Sequence, residues 1–420
     1  MSDPGSETVA VAPAADGARH HSNVAISLAL VAFVLFYFST NGKMYHMDYT
    51  ARIAGALLHG QLGLSEQPPS WLNEAVPLGG KYFSVFPLGA VLSMLPVAAL
   101  QQVKLVTGFP GRATAAVIAA TTVYFFYGLS TIADVSTAKR VLFSLYPVFG
   151  TWTWANLGFG GAWQIALGLA LLGEVTALYF TLVRRNPWLA GACFAIAFGN
   201  RSELIVTTPF FLYFLAGAPK LFGKGTRRGI SQAAAANWRS IAAFLVIPIV
   251  LGLCTLGYNW GRFGFPLDFG YARIPGVLEE PWYKHGLFSF RAIPWNAYKM
   301  LFEGLTDVPQ FPFLRPHGFG ASIFLVSPVL FLLFREGGEY RAICWSVVAL
   351  LTFILWCHGN PGGWQFSYRY GMILLPWFFI LILTNGPRKL TANEIGLISV
   401  SFLLNGLATY QFLFTNDIRP

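Results

Sequence analysis

Ser84-Val85-Phe86-Pro87-Leu88-Gly89-Ala90-Val91-Leu92-Ser93-Met94-Leu95-Pro96-Val97-Ala98-Ala99-Leu100 is an apolar run that decides how the rest of the chain is threaded. Counted as a membrane crossing, it moves every later cluster of basic residues to the outside. Laid on the membrane surface, it leaves those clusters where the cytoplasm would be. Pro87 and Pro96 each remove a helical hydrogen bond and favour a broken, shallow segment, so the run is expected at the surface.

Outward from this stretch, runs at 24–38, 112–129, 163–183, 241–257, 342–357, 370–384 and 395–414 approach or exceed the roughly 18 apolar residues of a spanning helix. Of 420 residues, 55% are hydrophobic and only 11% charged, against about a quarter in soluble domains. This composition excludes a soluble multidomain protein and indicates an all-α polytopic membrane protein.

Basic residues collect in cytoplasmic loops. Five clusters recur: Lys139-Arg140, Arg184-Arg185, Lys220 through Arg239, Arg335 with Arg341, and Arg388-Lys389. A chain starting inside, with crossings at 24–41, 112–131, 141–156, 163–183, 187–200, 203–218, 240–258, 320–334, 342–358, 369–385 and 393–414, places all five inside. The competing solution has an outside N-terminus and a spanning 84–100, and Arg19 alone opposes it. The net charge of +10 is dispersed between apolar runs and not gathered on a stripe, so no nucleic-acid partner is expected. Cys193, Cys254, Cys344 and Cys357 lie in apolar segments without metal-type spacing.

Residues 1–22 are small and polar and are expected to form a disordered cytoplasmic tail. Arg19-His20-His21 imitates the basic region of a signal peptide, but no cleavage site follows, so 24–41 reads as a retained first helix. The remainder, 23–420, is expected to be one membrane domain with external loops 42–111 and 259–319, where the polar chemistry concentrates. Glu174, in mid-span, reads as structural. Trp260, Phe263, Phe265, Trp282, Trp295 and Trp364 read mostly as interfacial belt residues, with some available to stack on sugar faces.

Asp48, within Thr40–Gly60, is a lone carboxylate just beyond the first apolar segment. Its bland reading is a helix N-cap. Its functional reading is a general base facing a watery acceptor. The cations Lys81, Arg201 and Arg369, each at an external helix end beside apolar sequence, suit a phosphate.

Asp48 followed by Ala54-Gly55-Ala56-Leu57-Leu58-His59-Gly60 resembles a motif of the polytopic C-superfold (GT-C) glycosyltransferases, as do Gly80 to Gly89, Leu189 to Glu203, Tyr258 to Tyr271 and Gly362 to Tyr370 with Leu375-Pro376. The chain is similar to the bacterial relatives of protein O-mannosyltransferases and to the lipid A aminoarabinose transferase. One of that family's usual two prolines is Phe86 here. The resemblance implies about 11 transmembrane helices, with membrane-parallel helices in the first external loop. It also implies transfer of a hexose or pentose, with inversion, from a polyprenyl-phosphate carrier to an envelope glycan, lipid or protein acceptor. Asp48 would be the base. Lys81, Arg201, Arg369, Arg52, Tyr82, Arg262 and Trp364 would bind substrate. The loop at 156–163 carries no acid, although some relatives have one there; no metal ligand is assigned, and a divalent Mg or Mn is left open. The Ala/Gly-rich composition suggests a bacterial inner membrane and a periplasmic active face. The alternatives are a lipid-linked oligosaccharide ligase or polymerase, and a non-enzymatic transporter or scaffold.

Overall fold

The computed structural model describes residues 15–41, 45–217, 226–309, 311, 313–416 and 418. The chain is mostly helical, with two small antiparallel hairpins. Helix α1 (Ala15–Phe38) begins inside the stretch expected to be a tail, whose residues 1–14 lie outside the described residues. The first external loop then folds as α2 (Tyr49–Leu58), the hairpin β1 (Ala75–Leu78) and β2 (Lys81–Ser84), and two short helices, α3 (Leu88–Leu92) and α4 (Leu95–Gln102). Residues 84–100 are thus broken: Pro87 caps α3 in an extended conformation, and Pro96 sits in the first turn of α4. Neither piece is long enough to span.

The bundle follows as α5 (Gly111–Leu129), α6 (Thr137–Phe149), α7 (Thr153–Phe159), α8 (Ala162–Leu182), α9 (Pro187–Asn200), α10 (Thr208–Ala216), α11 (Thr226–Ala236) and α12 (Trp238–Phe263). After the second long loop, which contains α13 (Ile293–Leu301), come α14 (Ile323–Val326), α15 (Arg341–Cys357), α16 (Leu375–Thr384) and α17 (Ala392–Phe414).

Among the described residues, five helical segments are long and apolar enough to cross a membrane, where eleven crossings were expected: His21–Phe38, Gly111–Ile132, Ala162–Leu182, Trp238–Phe263 and Ala392–Phe414. The other expected crossings are shorter or interrupted, and the interruptions are local. Pro147 and the turn after Phe149 divide 141–156 into α6 and α7. Pro328 restarts 320–334 as a 3-10 turn after α14. The expected crossings at 187–200, 203–218, 342–358 and 369–385 are apolar helices of less than spanning length.

Three of the five basic clusters come together. Lys139 and Arg335 both pair with the buried Glu394 carboxylate, at 2.8 and 2.5 Å. The Ser136 amide donates to the Arg388 carbonyl, and Arg140 lies 3.5 Å from His21 near the start of α1. Lys220 lies outside the described residues.

Helix α16 is the axis of the bundle: every residue from Leu375 to Leu383 is buried. Its Trp377 donates to Glu174 at 2.6 Å, which gives that mid-helix carboxylate an internal partner. By contrast, α1 and α12 expose apolar stripes that include Leu30, Val31, Leu35, Ile249, Val250 and Leu253, as helices facing lipid do.

Candidate functional site

The first loop, the start of α8 and the loop before α16 come together. The start of α8 organises the acids. The Ala162 amide donates to the Met47 carbonyl, which fixes Asp48 next to that helix. Trp163 donates its indole N–H to Glu74 at 2.6 Å and stacks on Phe86, with ring centres 4.0 Å apart. Tyr49, immediately after Asp48, bonds to Asn73 at 3.2 Å, so both carboxylates hang from one set of contacts.

Asp48 occupies the N-cap position of α2 but makes no side-chain capping bond. Its Oδ1 accepts from Arg52 Nε at 2.6 Å instead, one helical turn on. This ion pair is partly exposed. Glu74 behaves differently: burial pushes its carboxyl up to about 7, although the Trp163 N–H and the Arg369 charge work in the opposite direction. A carboxyl near 7 can both take and give a proton at neutral pH.

Two arginines converge on a third element. The Arg201 and Arg369 guanidinium carbons lie 4.7 and 5.1 Å from the centre of the same Tyr370 ring. Arg201, at the end of α9, is paired with Glu203, its Nε donating at 2.8 Å. Arg369 is buried; Nη1 donates to the Gly363 carbonyl at 2.8 Å and Nη2 to the Tyr370 hydroxyl at 3.3 Å. Its Nε is enclosed with no protein partner among the described residues. Arg262 Nε is enclosed in the same way; what distinguishes Arg369 is the second guanidinium on the same ring.

Arg369 is delivered by a tightly held loop. Trp364 and Ser367 both have positive φ, +44° and +54°, which non-glycine residues rarely adopt. Side chains hold them there. Asn156 donates to the Phe366 carbonyl at 2.7 Å and accepts from its amide at 3.2 Å, while Ser367 donates to the Ala321 carbonyl at 2.8 Å. Backbone strain maintained in this way concentrates at functional sites.

Around Tyr370, the His358 ring is 5.7 Å away and edge-on. Burial, with a further push from Arg201 and Arg369, lowers His358 below its ordinary 6.5. It is therefore neutral at pH 7. Behind it, the Tyr271 and Tyr283 hydroxyls bond at 3.0 Å, and burial raises both phenols, so both keep their protons.

The remaining expected residues take other positions. Arg52 and Tyr82 line one small recess with Tyr49 and Leu64. Lys81 stands apart, exposed at the hairpin turn. Arg262 is buried and fastens α12 to the first loop: it donates to the Ser84 carbonyl and to Asn259, and its guanidinium lies 3.8 Å from the centre of the Tyr258 ring. That is the environment of a packing residue. Trp364 packs between Phe159 and Phe412, with ring centres 5.9 and 5.7 Å away.

Both carboxylates already have side-chain partners, Arg52 on Asp48 and Trp163 on Glu74. Among the described residues no three His, Cys, Asp or Glu side chains converge.

No protein-family model and no curated protein matches the chain. Among solved structures, it is similar to the apo crystal structure of the Archaeoglobus fulgidus oligosaccharyltransferase, at 13% identity and a TM-score of 0.42. The likeness covers 94% of this chain but only 58% of that one. At this distance residues of the two cannot be equated.

Glu74 was visible in the sequence only as one of several loop acids. Its partner Trp163 lies 89 residues away, and no motif joins them. A contact across that separation could not be read from spacing.

Proposed function

We propose that the chain is a membrane glycosyltransferase that moves a sugar from a polyprenyl-phosphate carrier to an envelope glycan, lipid or protein acceptor on the external face of a bacterial inner membrane. The observation that carries this reading is the pair Arg201 and Arg369 on one tyrosine ring, with the Arg369 charge acting on Glu74. In this reading the acceptor hydroxyl attacks the anomeric carbon as its proton passes to Asp48. The carbon–oxygen bond to the phosphate breaks, and the arginine pair takes the developing charge on the departing polyprenyl phosphate. A single displacement inverts the anomeric centre. Arg52 and Tyr82, which line one recess, would contact the carrier's head group.

Glu74 supports a second assignment of the base. Its carboxyl near 7 matches the operating pH more closely than an ordinary carboxylate does, and Arg369 acts on it electrostatically.

The test is mass spectrometry of envelope glycans and polyprenyl-phosphate sugars in cells lacking the protein, complemented with wild type, Asp48→Asn or Glu74→Gln at matched membrane levels. One sugar should vanish from a glycan while its lipid-linked donor accumulates, and wild type should reverse both. Full rescue by Asp48→Asn together with failure of Glu74→Gln moves the base to Glu74. If neither pool changes on deletion, the transferase reading falls and a transporter or scaffold takes its place.

A further inference from the structure

A second concavity lies on the far side of His358. Residues 281–295 of the second external loop and Gly359 enclose about 350 Å³, within the range of about 300–1,000 Å³ that holds small ligands. Its lining includes two indoles, Trp282 and Trp295, two cations, Lys284 and Arg291, and His285; no carboxylate among the described residues lines it. Both indoles are exposed, at 40% and 48%.

We infer that this pocket binds an acidic saccharide unit of the acceptor, its sugar ring on the indoles and its carboxylate or phosphate on Lys284 and Arg291. The C–H faces of a pyranose are apolar and match an indole surface, while a guanidinium makes paired, charge-assisted bonds to a planar carboxylate. Indoles that anchor a protein in a bilayer need only a flat surface. Here two of them share a concave wall with two cations.

The position follows from backbone pairing. Phe288 pairs antiparallel with His358. The Ser289 amide donates to the Cys357 carbonyl, and the Gly359 amide to the Leu287 carbonyl, both at 2.8 Å. Gly359 has no room for a Cβ, which would come 2.6 Å from the Tyr283 ring. The pocket and the arginine site therefore share the His358–Gly359 segment as a wall. Calling the ligand an acceptor rests on the transferase reading; the binding itself does not.

The experiment uses the full chain in phosphatidylcholine nanodiscs, titrated calorimetrically with hyaluronan tetrasaccharide, with neutral chitotetraose, with inorganic phosphate, and with no sugar in discs containing phosphatidylglycerol. Lys284→Gln combined with Arg291→Gln should weaken the acidic tetrasaccharide by about tenfold or more. Trp282→Ala should weaken it as well, and chitotetraose should bind wild type at least about tenfold more weakly. All three positions are exposed, so these variants are expected to fold. Equal binding by wild type and the double variant overturns the proposal. So does chitotetraose or phosphate binding as tightly as the acidic sugar, or a dependence on Lys284 and Arg291 that appears only as attachment to phosphatidylglycerol. Asp48→Asn should leave the titration unchanged. If deletion of the protein changes neither the glycan nor the lipid-linked donor pool while the titration behaves as expected, the transferase reading fails and this site stands.

Discussion

Replacing Glu74 by glutamine keeps the side chain's shape and its acceptor for Trp163 but removes its titration. In the folded protein burial raises this carboxyl from its ordinary 4.5 to about 7, so the fold holds the proton more tightly than the unfolded chain does. Below the ordinary value both states carry the proton, and the wild type keeps its full stability. Between 4.5 and about 7 the unfolded chain releases it first, and stability falls as pH rises. That interval corresponds to about 3 kcal/mol, reduced to about 2 kcal/mol by the partial exposure of the residue. The glutamine variant lacks this loss. Thermal unfolding followed by tryptophan fluorescence in detergent, from about pH 4 to about pH 8, should show the variant gaining on wild type through that window and running parallel above it. Parallel curves throughout would refute the reasoning. A wild type that gains on the variant with rising pH would mean that Arg369 outweighs burial.

Three further outcomes are expected. Glu394→Ala leaves Lys139 and Arg335 around an empty position and should cost about 3–5 kcal/mol, seen as loss of folded protein in size-exclusion profiles, with Glu394→Gln recovering part of it. Gly191→Ala drives a methyl group into the Phe244 carbonyl where α9 crosses α12; a loss of about 1–3 kcal/mol in thermal unfolding is expected. Asn156→Ala frees both backbone groups of Phe366, and hydrogen exchange across 362–369 should rise about tenfold or more, at about 1–3 kcal/mol for the bonds lost.

Much of the architecture was legible because it depends on local composition. Pro87 and Pro96 broke 84–100 into short helices, and Lys139 and Arg335, from two of the basic clusters, meet at Glu394. Expected crossings such as 141–156 and 320–334 were less legible. Their hydrophobicity is that of a span, but Pro147 and Pro328 shorten the helices, and the residues are apolar because they are buried in protein. At the site, Lys81, Arg201 and Arg369 were read as phosphate-holding cations from their places at external helix ends; the fold brings Arg201 and Arg369 to one ring and leaves Lys81 at the hairpin turn. Arg262 looked the same in sequence. What separates it is the Ser84 carbonyl and the Tyr258 face, contacts made by residues that sequence spacing does not bring together. Glu74 was legible only as a charge in a loop, since its character comes from Trp163 and from burial.

The enclosure of α16 changes what substitutions along it should report. Leu375 to Leu383 touch protein on every side, so their tolerance should track side-chain volume, while that of the outer faces of α1 and α12 should track polarity and depth. Bilayer thickness would act directly on the outer helices and reach α16 only through them. Arg369, in the turn that leads into this sheltered column, is thereby insulated from the lipid composition of the surrounding membrane.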